Sequence, residues 1–397
     1  MMTIEELKRN NSPEIAAVIL ICRVFLKTSP ENELKDFFDV NRLDEKLFLK
    51  IVRAHNIRPL VYKVISDLKV TGEITNRLNA DCKKIALKNF EQYRELIKLN
   101  SIFEANNVTA IPYKGCVFGL QFFNDIGMRE SSDIDFLIRP DANDIRAITK
   151  LMLADGYNAG DEIPEAFAKY YYEHTREIKF FLFEDGKRKF LAEFHSLLND
   201  PVFETQSPIP NEYLFRGRST VTLNENVVET LSPTNLLLAV ITHHGIAGQW
   251  SSLKNIIDLA KAAKRNDIDW KVISAASHTY RFSKVLDIGL GLAEELLGVV
   301  PRIKASKMTD HGPWRKRLLS NHEYALDRSW RNNFLLKLKS KDSTGDSIRL
   351  AYEHIRHAGA PSILDYKFIK LPKPLFFLYI FVKPIRMLVA KGSSRQK

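Results

Sequence analysis

The periodicity of the chain changes twice, and the stretch between the changes constrains the fold most. Residues 13–106 carry apolar side chains at helical spacing. From residue 108 the order becomes strand, helix, strand, helix within about 50 residues, the pattern of a mixed α/β unit. Helical spacing returns from residue 233. The expected class is therefore α+β, a small mixed β-sheet core flanked by N-terminal helices and a C-terminal all-α region. The implied divisions are 1–106 (N-terminal helical region), 107–200 (α/β core), 201–230 (linker with one candidate strand), 231–340 (C-terminal helical domain) and 341–397 (C-terminal tail).

In the first region, Ser12-Pro13 reads as a helix start, with a capping hydroxyl and a proline at the first helical position. The apolar run 15–26 is expected to be buried, 43–68 holds one or two helices, and 74–106 fits a single long helix. No side chain there suggests catalysis, so the plain reading is a helical layer or arm. In the core, 108–113 is a strand, Lys114-Gly115 a turn, and 116–123 a helix. A loop with Gly127 and Arg129 leads to a strand over 133–138, then a helix over 143–154. Residues 165–172 suggest a short helix. Strands over 176–184 and 189–195 flank the hairpin turn Asp185-Gly186-Lys187.

Asp133-Ile134-Asp135 starts the second of these strands. Residues two apart in a strand share a face and lie about 7 Å apart. Ile134 and Phe136 then point into a core, while the two carboxylates repel each other. A divalent cation relieves that repulsion, and carboxylate oxygens suit Mg²⁺. Glu193 and His195 share a face of a later strand and add a third carboxylate and an imidazole. Gly115 lets backbone N–H groups approach phosphate oxygens, and Lys114 adds positive charge.

The net charge of +11 and pI near 9.3 favour anionic partners such as nucleotides, phosphosugars, nucleic acid or an anionic membrane surface. No long basic tract marks a nucleic-acid arm. Cys22, Cys82 and Cys116 are scattered and form no Cys-x-x-Cys pair, which fits a reducing cytoplasmic setting rather than a zinc site or disulfide framework. Residues 1–11 are polar and lack the apolar segment of a signal peptide. The apolar run 375–381 is too short, and too soon interrupted by Lys383, Pro384 and Arg386, to span a bilayer. A basic-apolar helix lying on a membrane surface and a helix packed on the body both remain open. His174 sits among Tyr170, Tyr171 and Tyr172, a cluster that reads as core more readily than as a base-stacking patch. His243 and His244 are helix neighbours pointing different ways, so a joint metal site is not expected, although one could face a cleft. Asp258 reads as structural.

In order, Tyr113-Lys114-Gly115, Gly127-x-Arg129, Ser132-Asp133-Ile134-Asp135-Phe136, Asp155-Gly156-Tyr157 and Glu193-Phe194-His195 resemble the polymerase-β-like nucleotidyltransferase superfamily. Within it, the series is similar to an uncharacterised bacterial nucleotidyltransferase family, over residues 101–302. The resemblance implies a nucleotidyltransferase core. It also implies an NTP substrate (ATP included) and two Mg²⁺ (or Mn²⁺) ions about 3.5–4 Å apart. Asp133, Asp135 and Glu193 would be the catalytic metal ligands. Lys114, Gly115, Arg129 and His195 would bind the nucleotide. The implied acceptor is a sugar, small-molecule or peptide hydroxyl. The same chemistry on tRNA or protein, and a nucleotide-binding scaffold without turnover, are the alternatives. Two departures stand out. Lys114-Gly115-Cys116 replaces the usual Gly-Ser turn, and the gap from Gly115 to Asp133 is longer than usual.

Overall fold

A helix apolar on every face must be enclosed by others, and Pro13–Phe25 is such a helix, buried at every position from 14 to 23. It is capped by Ser12, whose Oγ accepts from the Ile15 N–H, and Pro13 occupies the first turn. Around it pack Glu31–Val40, Glu45–Ala54 and Arg58–Asp67, followed by the single long helix Glu73–Ala105. The C-terminal helices up to residue 297 join the same core. Arg23, itself buried, donates from Nε to the Leu296 carbonyl at 2.7 Å, near the C-terminus of helix Ser283–Leu297. Its cation there faces the negative end of the helix dipole. Leu20, Val61, Leu236, Ile257 and Leu292 belong to one contiguous apolar cluster, so both helical regions share a core. The computed structural model describes residues 1–199, 209–300, 302–303, 309–323, 330–358 and 360–393.

The sheet has five strands: β1 (Ala110–Pro112), β2 (Ile134–Ile138), β3 (Asn158–Ala159), β4 (Glu177–Glu184) and β5 (Lys187–His195). Their spatial order is β1-β2-β5-β4-β3. Only the β2–β5 pair is parallel, so the sheet is mixed as expected. Alternation fixes what each face carries. Phe136 and Phe194 are register partners whose rings stack at 5.1 Å, with Phe103 of the long helix edge-on to both at 5.5 Å. Those rings bind the sheet to the helix, and the carboxylates point the other way. Asp185 and Gly186 make the β4–β5 turn, both at positive φ (49° and 71°), as a two-residue hairpin turn requires.

The segment read as a linker with one strand contains a hairpin, β6 (Arg218–Leu223) and β7 (Asn226–Leu231). Its turn residues Asn224 and Glu225 also take positive φ (46° and 60°). Without a glycine there, the sequence carries no strong turn signal. Thr230 ties β7 to the core by donating to the Pro112 carbonyl at 2.6 Å. The helices Pro233–Thr242, Leu253–Ala263, Trp270–Thr279 and Ser283–Leu297 match the expected all-α region. Beyond them, the helix Thr344–Ala358 follows. Residues 201–208 of the expected linker, 301, 304–308 and 324–329 of the expected C-terminal helical domain and 394–397 of the tail lie outside the described residues, as does the His174 side chain.

Candidate active site

The site begins at the turn after β1. Lys114 adopts φ 56°, ψ −158°, a region almost reserved for glycine, and Gly115 follows at φ 46°. A Cβ on Gly115 would lie 2.9 Å from Ser131 Oγ, so the turn and the 131–133 loop meet where only glycine fits. The helix after the turn is short, Gly115–Phe118, and widens into a π-helical turn at Gly119–Phe123.

Strand pairing then assembles the acidic centre. Asp135 and Glu193 are register partners across β2 and β5, and Leu137 pairs with His195. Asp133 immediately precedes β2 and lines the same cleft. His195 is buried, and its Nε2 lies 2.8 Å from Asp135 Oδ1, to which it donates, and 3.6 Å from Glu193 Oε2. Lys114 Nζ approaches Asp135 Oδ1 at 3.3 Å, and Lys179 Nζ approaches Glu193 Oε1 at 3.0 Å. The two sheet carboxylates therefore each have a cationic neighbour.

Burial acts against charge on Asp135, but Lys114 and the His195 hydrogen bond outweigh it and hold the carboxyl well below the usual range. Asp133 is pushed up by burial and by the charge of Asp135. Glu193 is pushed up by burial, then by Glu177 and Asp135. His195 falls to about 4, through burial first and Lys114 second. The local cations thus favour charge on Asp135, whereas burial disfavours it on Asp133 and Glu193. Donor atoms of Asp135, Glu193 and His195 lie within 4.8 Å of one another, the only such cluster among the described residues. This carboxylate-rich set fits a hard divalent cation.

The cleft above these groups measures about 460 Å³. Its rim draws on the N-terminal helices, the α/β core and the C-terminal helices. Arg58 stands on an N-terminal helix, Lys88 on the long helix, and His243 and Lys254 on the C-terminal helices. Lys254 donates to the Glu130 carbonyl at 3.0 Å and is drawn down to about 8 by burial and by Arg129. Arg58 grips the Glu130 carboxylate, Nε to Oε1 at 3.1 Å. The N-terminal helices are therefore more than a passive layer, since they furnish part of the cleft. No periodic or motif signal distinguishes Lys88 or Arg58 from the other helix cations. Only the packing does.

Arg129 reaches the cleft wall, but its guanidinium bonds the buried Asp258 (Nε to Oδ2, 3.1 Å), rests on the Phe118 ring and touches the Gly115 carbonyl at 3.4 Å. Asp258 also accepts from His244 Nε2 at 3.1 Å. Asp258, read in the sequence as structural, is buried and braces Arg129 against the Gly115 turn. His243 and His244 both line the cleft, because the helix widens into a π-turn at His243–Ala247. Tyr170 is half-buried, packs against Phe167 and Phe376, and with Tyr171 lines a separate, smaller cleft.

The mixed sheet thus gathers carboxylates at the floor of a cation-rimmed cleft, a setting that suits a divalent cation and an anionic ligand. A family model described as an uncharacterised nucleotidyltransferase matches residues 41–298, well over half of the chain. The chain belongs to this nucleotidyltransferase family. The matched span includes Arg58, Lys88 and Lys254 along with the acidic centre. No curated protein and no solved structure gives a match.

Proposed function

We propose that the protein transfers a nucleoside monophosphate from an NTP to a hydroxyl of a sugar, small-molecule or peptide acceptor. The observation that carries this reading is the register pairing of Asp135 with Glu193, beside Asp133, under a cation-rimmed cleft. Asp133, Asp135 and Glu193 would hold Mg²⁺ or Mn²⁺, with His195 orienting Asp135. When bound, such a cation supplies charge neutralisation at the phosphates and lowers the pKa of an acceptor hydroxyl. Lys114, the Gly115 turn and the Arg129 that braces it stand on the nucleotide side. Lys88 and Lys254, on the cleft rim, would meet the outer phosphates. The acceptor oxygen bonds to the α-phosphorus, the α–β bridging P–O bond breaks, and pyrophosphate leaves. Glu193 would help take the hydroxyl proton.

Lys114 on Asp135 favours a second reading, a nucleotide-binding protein without turnover, because an ammonium already neutralises that carboxylate. The discriminating experiment is label transfer from each of the four α-³²P NTPs with Mg²⁺ or Mn²⁺, wild type beside Asp133→Asn. The protein itself, tRNA and a lysate serve as acceptors. Label that appears only with wild type supports nucleotidyl transfer, and the labelled species identifies the acceptor class. No label, together with NTP binding indifferent to metal, supports the second reading.

A further inference from the structure

The C-terminal segment folds as helix Ile363–Phe368, a 3₁₀ turn Lys373–Leu378 and helix Tyr379–Ser393. Its inner side is packed. Phe376, Tyr379 and Val382 are buried with Phe167 and Tyr366 in a core cluster of their own. Tyr379 donates from its hydroxyl to the Ile369 carbonyl at 2.7 Å, and Arg386 Nε reaches Asp365 at 2.6 Å. The helix is thus fixed on the body rather than loose.

Its outer side is also apolar. Phe377, Phe381 and Leu388 are exposed by 67%, 66% and 71%, and Ile380, Ile385 and Val389 by half or more. Phe381, Ile385 and Leu388 follow i, i+4, i+7 spacing and so form one stripe. A helix apolar on both sides, with only one side covered, leaves a contiguous patch facing water. No helix among the described residues is long and apolar enough to cross a membrane.

Charge selects what meets this patch. Residues 360–397 contain eight Lys and Arg, a single Asp and no Glu. A second copy would bring two such cationic segments together, which like-charge repulsion opposes. An anionic bilayer offers negative headgroups for the lysines and acyl chains for the aromatic stripe. We propose that this segment docks the protein on an anionic lipid surface, with Phe377, Phe381 and Leu388 inserted at the headgroup boundary.

The test is co-sedimentation of the full chain with phosphatidylcholine vesicles, with and without phosphatidylglycerol, for wild type and for Phe381→Asp combined with Leu388→Asp. The proposal expects binding to the anionic vesicles that weakens with salt. It expects the double variant to bind about tenfold or more weakly, with an unchanged Tm because both side chains are exposed. Absence of binding, equal binding to neutral vesicles, or binding undiminished in the variant would overturn it. So would a wild-type dimer that the variant dissolves.

Discussion

Asp135 and Glu193 face each other across two parallel strands, β2 and β5, on the side of the sheet away from the Phe136–Phe194 stack. Their environments differ. Asp135 is held ionised by Lys114 and His195, whereas Glu193 is crowded by burial and by Glu177. Asp135→Asn and Glu193→Gln should each lower transfer by about 10²–10³-fold. Stability should separate them. Asp135→Asn weakens the partnership of a buried lysine and should cost about 2 kcal/mol or more. Glu193→Gln removes a repulsion and should fall within about 0.5 kcal/mol of wild type. Denaturant titration of both variants makes the comparison, and equal losses would contradict it.

The Lys114 backbone offers a cleaner test of strain. Lys114→Ala and Lys114→Gly both delete the ammonium that meets Asp135. Only glycine suits φ 56°, ψ −158° without cost. The Gly variant should therefore be the more stable of the two by about 1–3 kcal/mol. Denaturation midpoints at matched m-values decide it, and an Ala variant as stable as the Gly variant would show an unstrained turn.

The Arg129–Asp258 pair joins the loop before β2 to the helix Leu253–Ala263, with both side chains buried. Asp258→Ala strands a buried guanidinium and should cost about 3–5 kcal/mol. Replacing both partners, Arg129→Met with Asp258→Leu, should recover most of that loss, because no unpaired charge remains. Urea unfolding of the single and double variants measures the difference.

On the cleft rim, Lys88→Ala and Lys254→Ala should each weaken NTP binding about tenfold or more, the value of a charge-assisted bond to phosphate. Lys254 titrates near 8. Its contribution to affinity is thus present at lower pH and fades as pH rises through that value. Calorimetric titration of NTP across that range should show a decline in wild type that Lys254→Ala lacks.

His55 links pH to stability away from the cleft. Its Nδ1 accepts from the Leu253 N–H at 3.1 Å, at the start of helix Leu253–Ala263. Burial, followed by His322, lowers its pKa to about 3. The unfolded imidazole takes its proton near pH 6.5, so between those values the unfolded state binds more protons. Stability from this group is present above about pH 6.5 and is lost as pH falls toward 3. His55→Gln should flatten that part of the stability-against-pH curve, as read by chemical denaturation at several pH values.

Local sequence determined much of this molecule. Period-two alternation put Asp135 opposite Ile134 and Phe136, and Glu193 and His195 opposite Phe194, before any contact was known. Helical spacing marked the long helix Glu73–Ala105, and Asp185-Gly186 marked the hairpin, because side-chain periodicity and turn chemistry are short-range properties. The β6–β7 hairpin was only half legible, since its Asn224-Glu225 turn lacks glycine.

What the tertiary structure alone decided is who meets whom. Strand pairing between β2 and β5 joins residues far apart in the chain, and nothing local encodes which strands become neighbours or in which register. Arg129 reads in sequence as an ordinary loop cation, and only packing brings the buried Asp258 to its guanidinium. Arg58, Lys88 and Lys254 are ordinary helix cations in sequence and become one rim only because both helical regions share a core. Periodicity fixes the face on which a side chain stands, but long-range burial fixes what that face looks at.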